Sequence, residues 1–319
     1  MPEGAPEARA EDFQHEARFY SGVDEFLAAT VPFLLEGLER EEPMFAAVPP
    51  PQLDALRAAL PDGGAGVALD DVRQIGRNPA HLIPAWHDFV QRNGDGARPV
   101  RGIAETMWPG RSRDEIVECQ RHESLLNVAF ADCDSFRLLC PYNVDALPDD
   151  VLDDAERSHP WVGEGTSARR GNPSCRPLET MGTPFDSPLP AVPDDVPSFS
   201  FGVNAIGAVR ELCARFARAH GLQGYRADDL VLAVHELASN SVRHAGGHGV
   251  IRLWQDDDRI LCEVADNGHI DVPLAGRLRP EPDRLGGRGL WMANQLCDLV
   301  QIRTTADGNV VRLHQRLSG

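Results

Sequence analysis

Three short segments in the last third of this 319-residue chain combine residue types suited to phosphate, metal and heterocycle chemistry. They are His235-Glu236-Leu237-Ala238-Ser239-Asn240, Asp266-Asn267-Gly268 and Gly286-Gly287-Arg288-Gly289-Leu290. Glu236 and Asn240 are four residues apart, so on a helix they share a face. A carboxylate and an amide oxygen so placed can hold water and a hard cation, and Mg²⁺ favours such oxygen ligands beside substrate phosphates. Asp266 stands where an apolar run ends, the usual place for a ligand-reading side chain in an open sheet, and its carboxylate can accept a hydrogen bond from an adenine amine. Glycines 286, 287 and 289 allow close backbone approach. The N–H groups of the helix they open would point at phosphate oxygens, and Arg288 can add a charge-assisted bond.

The elements that must position these residues are legible around them. Residues 198–319 read as a strand at 198–201, helices at 204–220 and 226–245, and strands at 250–255 and 259–265 joined by an Asp256–Asp258 turn. A Pro/Gly/Arg-rich loop at 269–286, a helix at 287–298 and strands at 299–304 and 310–316 follow. This order predicts an α+β two-layer sandwich with helices on one sheet face. Leu230, Val234, Leu237 and Ser241 form a stripe at helical spacing that reads as sheet-facing core, and His244 reads as a last-turn residue.

Upstream, after a Pro/Glu/Ala-rich tail at 1–12, a helix at 22–40 and apolar runs at 44–48, 67–69, 100–104 and 136–140 alternate with helix-like stretches at 52–60, 79–92 and 113–131. That alternation predicts an α/β domain with a parallel sheet over 13–160. From 161 to 197 the periodicity collapses among seven prolines, which predicts a Pro-rich linker ahead of the second domain at 198–319.

Composition excludes several chemistries. All 31 basic residues are Arg, so a P-loop, an ordinary protein-kinase domain and Schiff-base catalysis, each of which needs a Lys, are ruled out. Residues 198–319 hold 14 Arg and 14 acids, which leaves the whole net charge of −18 to residues 1–197. An acidic first half and a neutral second half without a basic stripe argue against direct nucleic-acid binding. The seven Cys are never closer than seven positions, so no C-x-x-C zinc or redox pair exists. Their odd number, with an acidic start that lacks a signal-like segment, points to reduced thiols and a cytoplasmic location. No apolar run reaches membrane-spanning length.

The order Glu-x-x-x-Asn, Asp-x-Gly, loop, Gly-x-Gly-Leu resembles the GHKL (Bergerat) ATP-binding fold shared by gyrase, Hsp90 and histidine kinases, and within it the RsbW-type anti-sigma regulatory factors. Residues 228–245, 260–268 and 286–300 carry the resemblance. It implies Mg²⁺ held by Asn240, a catalytic base or water-orienting role for Glu236, and adenine read by Asp266 with Gly268 beneath it. It also implies ATP phosphates cradled by Gly287 and Gly289, with 269–286 as the ATP lid. The sequence departs from the family pattern at Ile270 and Asn309.

The first domain resembles the MEDS sensory domain found ahead of such ATPase domains in RsbA-type regulators, a fold similar to RecA-like cores. The resemblance rests on His15-Glu16-Ala17-Arg18-Phe19-Tyr20, Gly102 through Trp108, His122-Glu123 through Asn127, and Leu138-Leu139-Cys140-Pro141-Tyr142. It implies small-molecule sensing, with His15, Glu105 and Trp108 as candidate contacts.

Together these readings describe a signalling regulator of transcription of the anti-sigma type. Its ATP-binding domain would act as a Ser/Thr protein kinase on an anti-anti-sigma antagonist, sequester a sigma factor, or both, under control of the sensory domain. One alternative is a nucleotide-dependent protein-binding module without turnover. Another is a histidine sensor kinase, because His122-Glu123 resembles a phosphoacceptor box. A homodimer stays open.

Overall fold

The computed structural model describes residues 13–94, 98–164, 168–281 and 287–317, and the chain divides into two compact units at Thr183/Pro184. The first unit runs β1 (Gln14–Tyr20), α1 (Gly22–Glu39), β2 (Met44–Val48), α2 (Pro50–Ala59), β3 (Val67–Asp71), α3 (Val72–Ile75), α4 (Leu82–Asn93) and β4 (Val100–Ala104). It continues through α5 (Arg113–Ala129), β5 (Phe136–Asn143), α6 (Asp149–Ser158), β6 (Trp161–Glu164) and β7 (Ala168–Gly171). The strands form one sheet in the order β3-β2-β4-β5-β1-β6-β7, parallel except for β7. β2 and β4 are buried at every position, as strands covered on both faces by crossover helices must be.

The second unit comprises β8 (Ser198–Gly202), α7 (Ile206–Ala219), α8 (Tyr225–His244), β9 (His248–Asp256), β10 (Arg259–Asp266), α9 (Arg288–Leu296), β11 (Leu299–Thr305) and β12 (Gly308–Arg316). Its antiparallel sheet runs β11-β12-β10-β9-β8. Leu230, Ala233, Val234, Leu237 and Ala238 of α8 pack with Ile251, Cys262, Val264, Val311 and Leu313 of the sheet to form the core between layers. Among the described residues, no helix is long and apolar enough to cross a membrane.

The stretch 161–197, expected as a Pro-rich linker, is corrected by the structure. Trp161–Glu164 and Ala168–Gly171 extend the first sheet as β6 and β7, because Glu16 and Ala17 of β1 offer a parallel edge to Trp161 and Val162. Asn172 and Arg176 then tie the following turn to α6, Asn172 through the Glu156 and His159 carbonyls and Arg176 through Asp154. In the second unit, the Ser187 and Pro190 carbonyls accept from Arg303 and Arg312 on the sheet. Proline removes backbone donors but leaves carbonyl acceptors, which suits this segment to a surface of guanidinium groups. Helix α6 also escaped the sequence reading, because DDVLDDAERS offers few apolar residues.

Helix α5 starts at a capping box. The Glu115 N–H donates to Ser112 Oγ at 3.3 Å, and the Ser112 N–H donates to Glu115 Oε2 at 2.7 Å. Ser112→Ala is expected to lower the stability of the first unit by about 1 kcal/mol in urea unfolding. An unchanged midpoint would show that the cap contributes nothing.

Candidate functional site

A cleft of about 430 Å³ opens in the second unit between the end of β10, the C-terminal half of α8 and the loop after Gly268. Leu237, Val264, Ile270, Leu290 and Val311 give it apolar walls, and Asn240, Asp266 and Asn309 bring polar groups to them. Such a slot suits a flat ring that must be both sandwiched and read at its edge.

Asp266 is the most constrained polar group here. Its Oδ1 accepts from the Gly268 N–H at 2.9 Å and from Asn309 Nδ2 at 3.1 Å, while Oδ2 accepts from Ser241 Oγ at 2.6 Å. Register produces this arrangement. Asp266 on β10 and Thr304 on β11 both pair with Asn309 on β12, so the three side chains form one row across the sheet. The Thr304 hydroxyl donates to Asn309 Oδ1 at 2.8 Å, which orients the amide so that its NH₂ meets the carboxylate. Gly308 makes the row possible. Its φ is +123°, and a Cβ there would collide with the Asp266 carbonyl oxygen. Oδ2 keeps one acceptor position beyond its Ser241 bond, enough to read one donor such as a ring amine.

Asn240 lines the same cleft from α8. It packs against the start of α9, where a Cβ on Gly289 would lie 2.5 Å from Asn240 Nδ2. Gly287, the residue before α9, sits in the left-handed region at φ +78°. The first N–H groups of α9 are therefore close to Asn240, an arrangement that pairs anion-binding donors with an amide oxygen suited to a hard cation.

The structure thus brings Asn240, Asp266, Gly268 and Gly287 together around one cleft, with Gly289 packed behind Asn240. It does not bring the other two expected residues there. Glu236 lies one turn before Asn240 and is half-buried, but it is not among the described residues that line the cleft. Arg288 is exposed on a neighbouring surface with Arg279, Trp291 and Met292. Residues 282–286, which include Gly286 and part of the expected lid, lie outside the described residues. The rest of that loop turns at Val272–Arg277, and Asn294 of α9 holds it by donating to the Gly276 carbonyl at 2.9 Å.

Sequence reasoning missed Ser241 and Asn309 as partners of Asp266. Ser241 was read as core, and its signal was a hydroxyl within an otherwise apolar stripe. Asn309 departs from the family pattern, yet it is one of the three donors that hold the carboxylate.

In the first unit the three expected sensory residues fall in different surroundings. His15 is fully buried on β1. Trp108 lies under the Arg111 guanidinium, 3.6 Å from its ring centroid, and Arg111 itself binds the carbonyls of Gly76, Arg77 and Thr106. Glu105 is 1% exposed, and its Oε1 accepts from the Tyr20 hydroxyl at 2.8 Å. Burial pushes the Glu105 carboxyl up to about 8, partly opposed by that hydrogen bond. His122 is 0% exposed on α5, which argues against a phosphoacceptor there because a phosphoryl donor has no path to the ring.

Comparison with known proteins bears on both units. Residues 14–160 match the family MEDS, the methanogen/methylotroph, DcmR sensory domain. Residues 199–314 match the histidine kinase-like ATPase domain. No curated protein matches the chain. Among solved structures, the chain is similar to the crystal structure of the RsbU and RsbW domains of Rv1364c from Mycobacterium tuberculosis. That match has 18% identity and a TM-score of 0.28, and it covers 65% of this chain and 49% of that one.

The buried Glu105 yields a pH dependence. Its folded-state value of about 8 lies above the ordinary 4.5, so the folded chain retains a proton that the unfolded chain releases. Stability is therefore lost as pH rises from 4.5 to 8. The buried rings of His15 and His159, held down to about 3 by desolvation, act in the opposite sense but only below their ordinary 6.5. Between 6.5 and 8 the first unit should consequently lose thermal stability in the wild type and much less in Glu105→Gln. Parallel melting profiles for the two proteins would contradict the assignment.

Proposed function

We propose, from the premise that this chain joins a MEDS sensory domain to a histidine kinase-like ATPase domain, that it is an ATP-binding signalling regulator of the anti-sigma type. One observation carries the nucleotide reading. A carboxylate fixed by three donors keeps one acceptor position toward an apolar slot, with Asn240 and the start of α9 on the same cleft. Adenine fits the slot by its flat apolar faces and its single exocyclic amine. Asp266 would accept from that amine, and Gly268 would keep the floor open, because a Cβ there would press on Ala245, Asn309 and Asp266 itself.

Asn240 would hold Mg²⁺ through its amide oxygen, and Gly287 and Gly289 would let phosphate oxygens approach the N–H groups of α9. Bound ATP with Mg²⁺ supplies a transferable phosphoryl group and charge neutralisation. The chain's own contribution is orientation: a carboxylate whose geometry is set by sheet register, and an amide whose position is set by close packing against Gly289. The acceptor of the proposed Ser/Thr kinase activity is an anti-anti-sigma antagonist, and the proposed binding partner is a sigma factor. Both rest on the resemblance to RsbW-type factors. A second reading keeps the nucleotide but not the turnover: bound nucleotide sets a protein-binding surface.

Titration calorimetry with Mg·ATP on the full chain tests the site. Asp266→Asn should weaken binding by about 10- to 100-fold, the scale of a hydrogen bond to a charged group. Asn240→Ala should abolish Mg²⁺-dependent binding while circular dichroism stays unchanged. Undiminished affinity in Asn240→Ala would overturn the site. Incubation of the wild type with labelled ATP and a candidate antagonist then separates the two readings, since acid-stable phosphate on the partner requires turnover.

A further inference from the structure

The first unit contains a second cluster of ligating groups, independent of the nucleotide reading. His15 on β1, Glu123 on α5, Cys140 on β5 and His159 after α6 each place one ligating atom within 4.8 Å of the others. All four are at most 1% exposed. The chain positions that converge here are far apart in sequence, and adjacent parallel strands and two packed helices bring them together.

Hydrogen bonding around the cluster determines which atoms face inward. Asn127 Nδ2 donates to the Ser158 carbonyl at 2.8 Å and the Ser124 carbonyl at 3.3 Å, so Asn127 Oδ1 is the atom 3.2 Å from His15 Nδ1. That nitrogen must carry the ring proton. His159 Nδ1 lies 2.7 Å from the Ala155 carbonyl, which can only accept, so it carries the proton of its ring too. Each Nε2 is therefore a lone pair. These two lone pairs lie 3.4 Å (His15) and 3.7 Å (His159) from Glu123 Oε2, and Cys140 Sγ lies 3.4 Å from His15 Nε2. Glu123 Oε1 is already occupied by the Thr106 hydroxyl at 2.5 Å, which leaves Oε2 for the centre.

The centre thus gathers two imidazole lone pairs, a carboxylate oxygen and a sulfur, with only the thiol proton among them. Glu123 Oε2 and His159 Nε2 make no hydrogen bond. Converging acceptors in a dry interior repel one another and lose their solvation unless a cation joins them.

We propose that His15, Glu123, Cys140 and His159 bind one zinc ion in the first unit. Metal–ligand bonds of about 2.0–2.3 Å at tetrahedral angles put ligand atoms about 3.3–3.8 Å apart; three of the six separations, 3.4, 3.7 and 3.4 Å, match that edge, and the others stay within 4.8 Å, so the ligands draw in slightly around the ion. The mixed nitrogen, oxygen and sulfur set suits Zn²⁺ and not Mg²⁺ or Ca²⁺. Zinc displaces the Cys140 thiol proton to solvent, and the resulting thiolate with the Glu123 carboxylate cancels the charge of the ion, so the filled centre is neutral. Asn127, Ala155 and Thr106 supply the outer contacts that orient such ligands. With four protein ligands and complete burial the ion has no open position. It clamps α5 and the end of α6 onto β1 and β5.

The test uses the full chain. Zinc content is measured by mass spectrometry on protein purified without chelator, and the metal-free protein is then titrated with Co²⁺. Expected are about one zinc per chain, a higher melting temperature when zinc is restored, and a thiolate-to-cobalt charge-transfer band with visible bands of tetrahedral intensity. Cys140→Ser, nearly isosteric, should lose the charge-transfer band, and Glu123→Gln should lose zinc. Circular dichroism of both variants against metal-free wild type checks that the fold survives. An ion in the nucleotide cleft would show no thiolate band, because no cysteine is among the described residues that line it. Wild type that takes up neither metal would overturn the proposal, leaving the cluster as a proton-sharing hydrogen-bond network. So would a charge-transfer band that persists in Cys140→Ser.

Discussion

A carboxylate drawn partly out of water must be supplied with donors, and in the second unit that requirement centres on the half-buried carboxylate of Asp266. The three donors come from a helix hydroxyl, a loop N–H and a strand amide, so the bond set exists only when α8, the turn after β10 and the register of β12 are all in place. Gly308 lets the last strand start close enough to Asp266, and Thr304 turns the Asn309 amide the right way. The cleft is therefore a product of sheet register, with its apolar walls supplied by the same α8 and sheet residues that border the core.

The same rule shapes the buried polar groups elsewhere, and the exclusive use of Arg as the basic residue shows how. A guanidinium presents five donors in a rigid fork, so one side chain can serve several acceptors at once. Arg101 binds Glu36, Glu42 and the Phe33 carbonyl at the rim of the first sheet. Arg312 binds Glu263 and the Pro190 carbonyl on the second, and Arg226 binds Asp298 and the Arg316 carbonyl. In each case one guanidinium serves a buried carboxylate and a backbone carbonyl together. A Lys ammonium on a flexible stem would give up more freedom for the same set of bonds. The cluster of His15, Glu123, Cys140 and His159 poses the converse problem: two imidazole lone pairs, a carboxylate oxygen and a sulfur turn inward with a single thiol proton and no guanidinium among them, a need that the proposed metal ion would meet.

Function in the two units rests on different physical resources. The second presents a half-open cleft with an apolar slot and one reading group, suited to a ligand that comes and goes. The first holds its chemistry in a dry interior, where Glu105 is pushed toward its neutral form and His15 and His159 are held neutral by desolvation.

By itself the sequence determined the element order, the parallel α/β character of the first half and the layered α+β character of the second, because hydrophobic period is a local property. It also put forward Asn240, Asp266, Gly268, Gly287 and Gly289 as candidates, because i,i+4 spacing, strand ends and glycine-opened helices are short-range signals. Only the tertiary structure decided that Ser241 and Asn309 hold Asp266, and that Trp161–Glu164 and Ala168–Gly171 are sheet. Those facts depend on strand register and edge availability, which link residues distant in the chain. The cluster of His15, Glu123, Cys140 and His159 is the extreme case. Four single residues on four elements carry no spacing signal, so their chemistry exists only where the fold makes them meet.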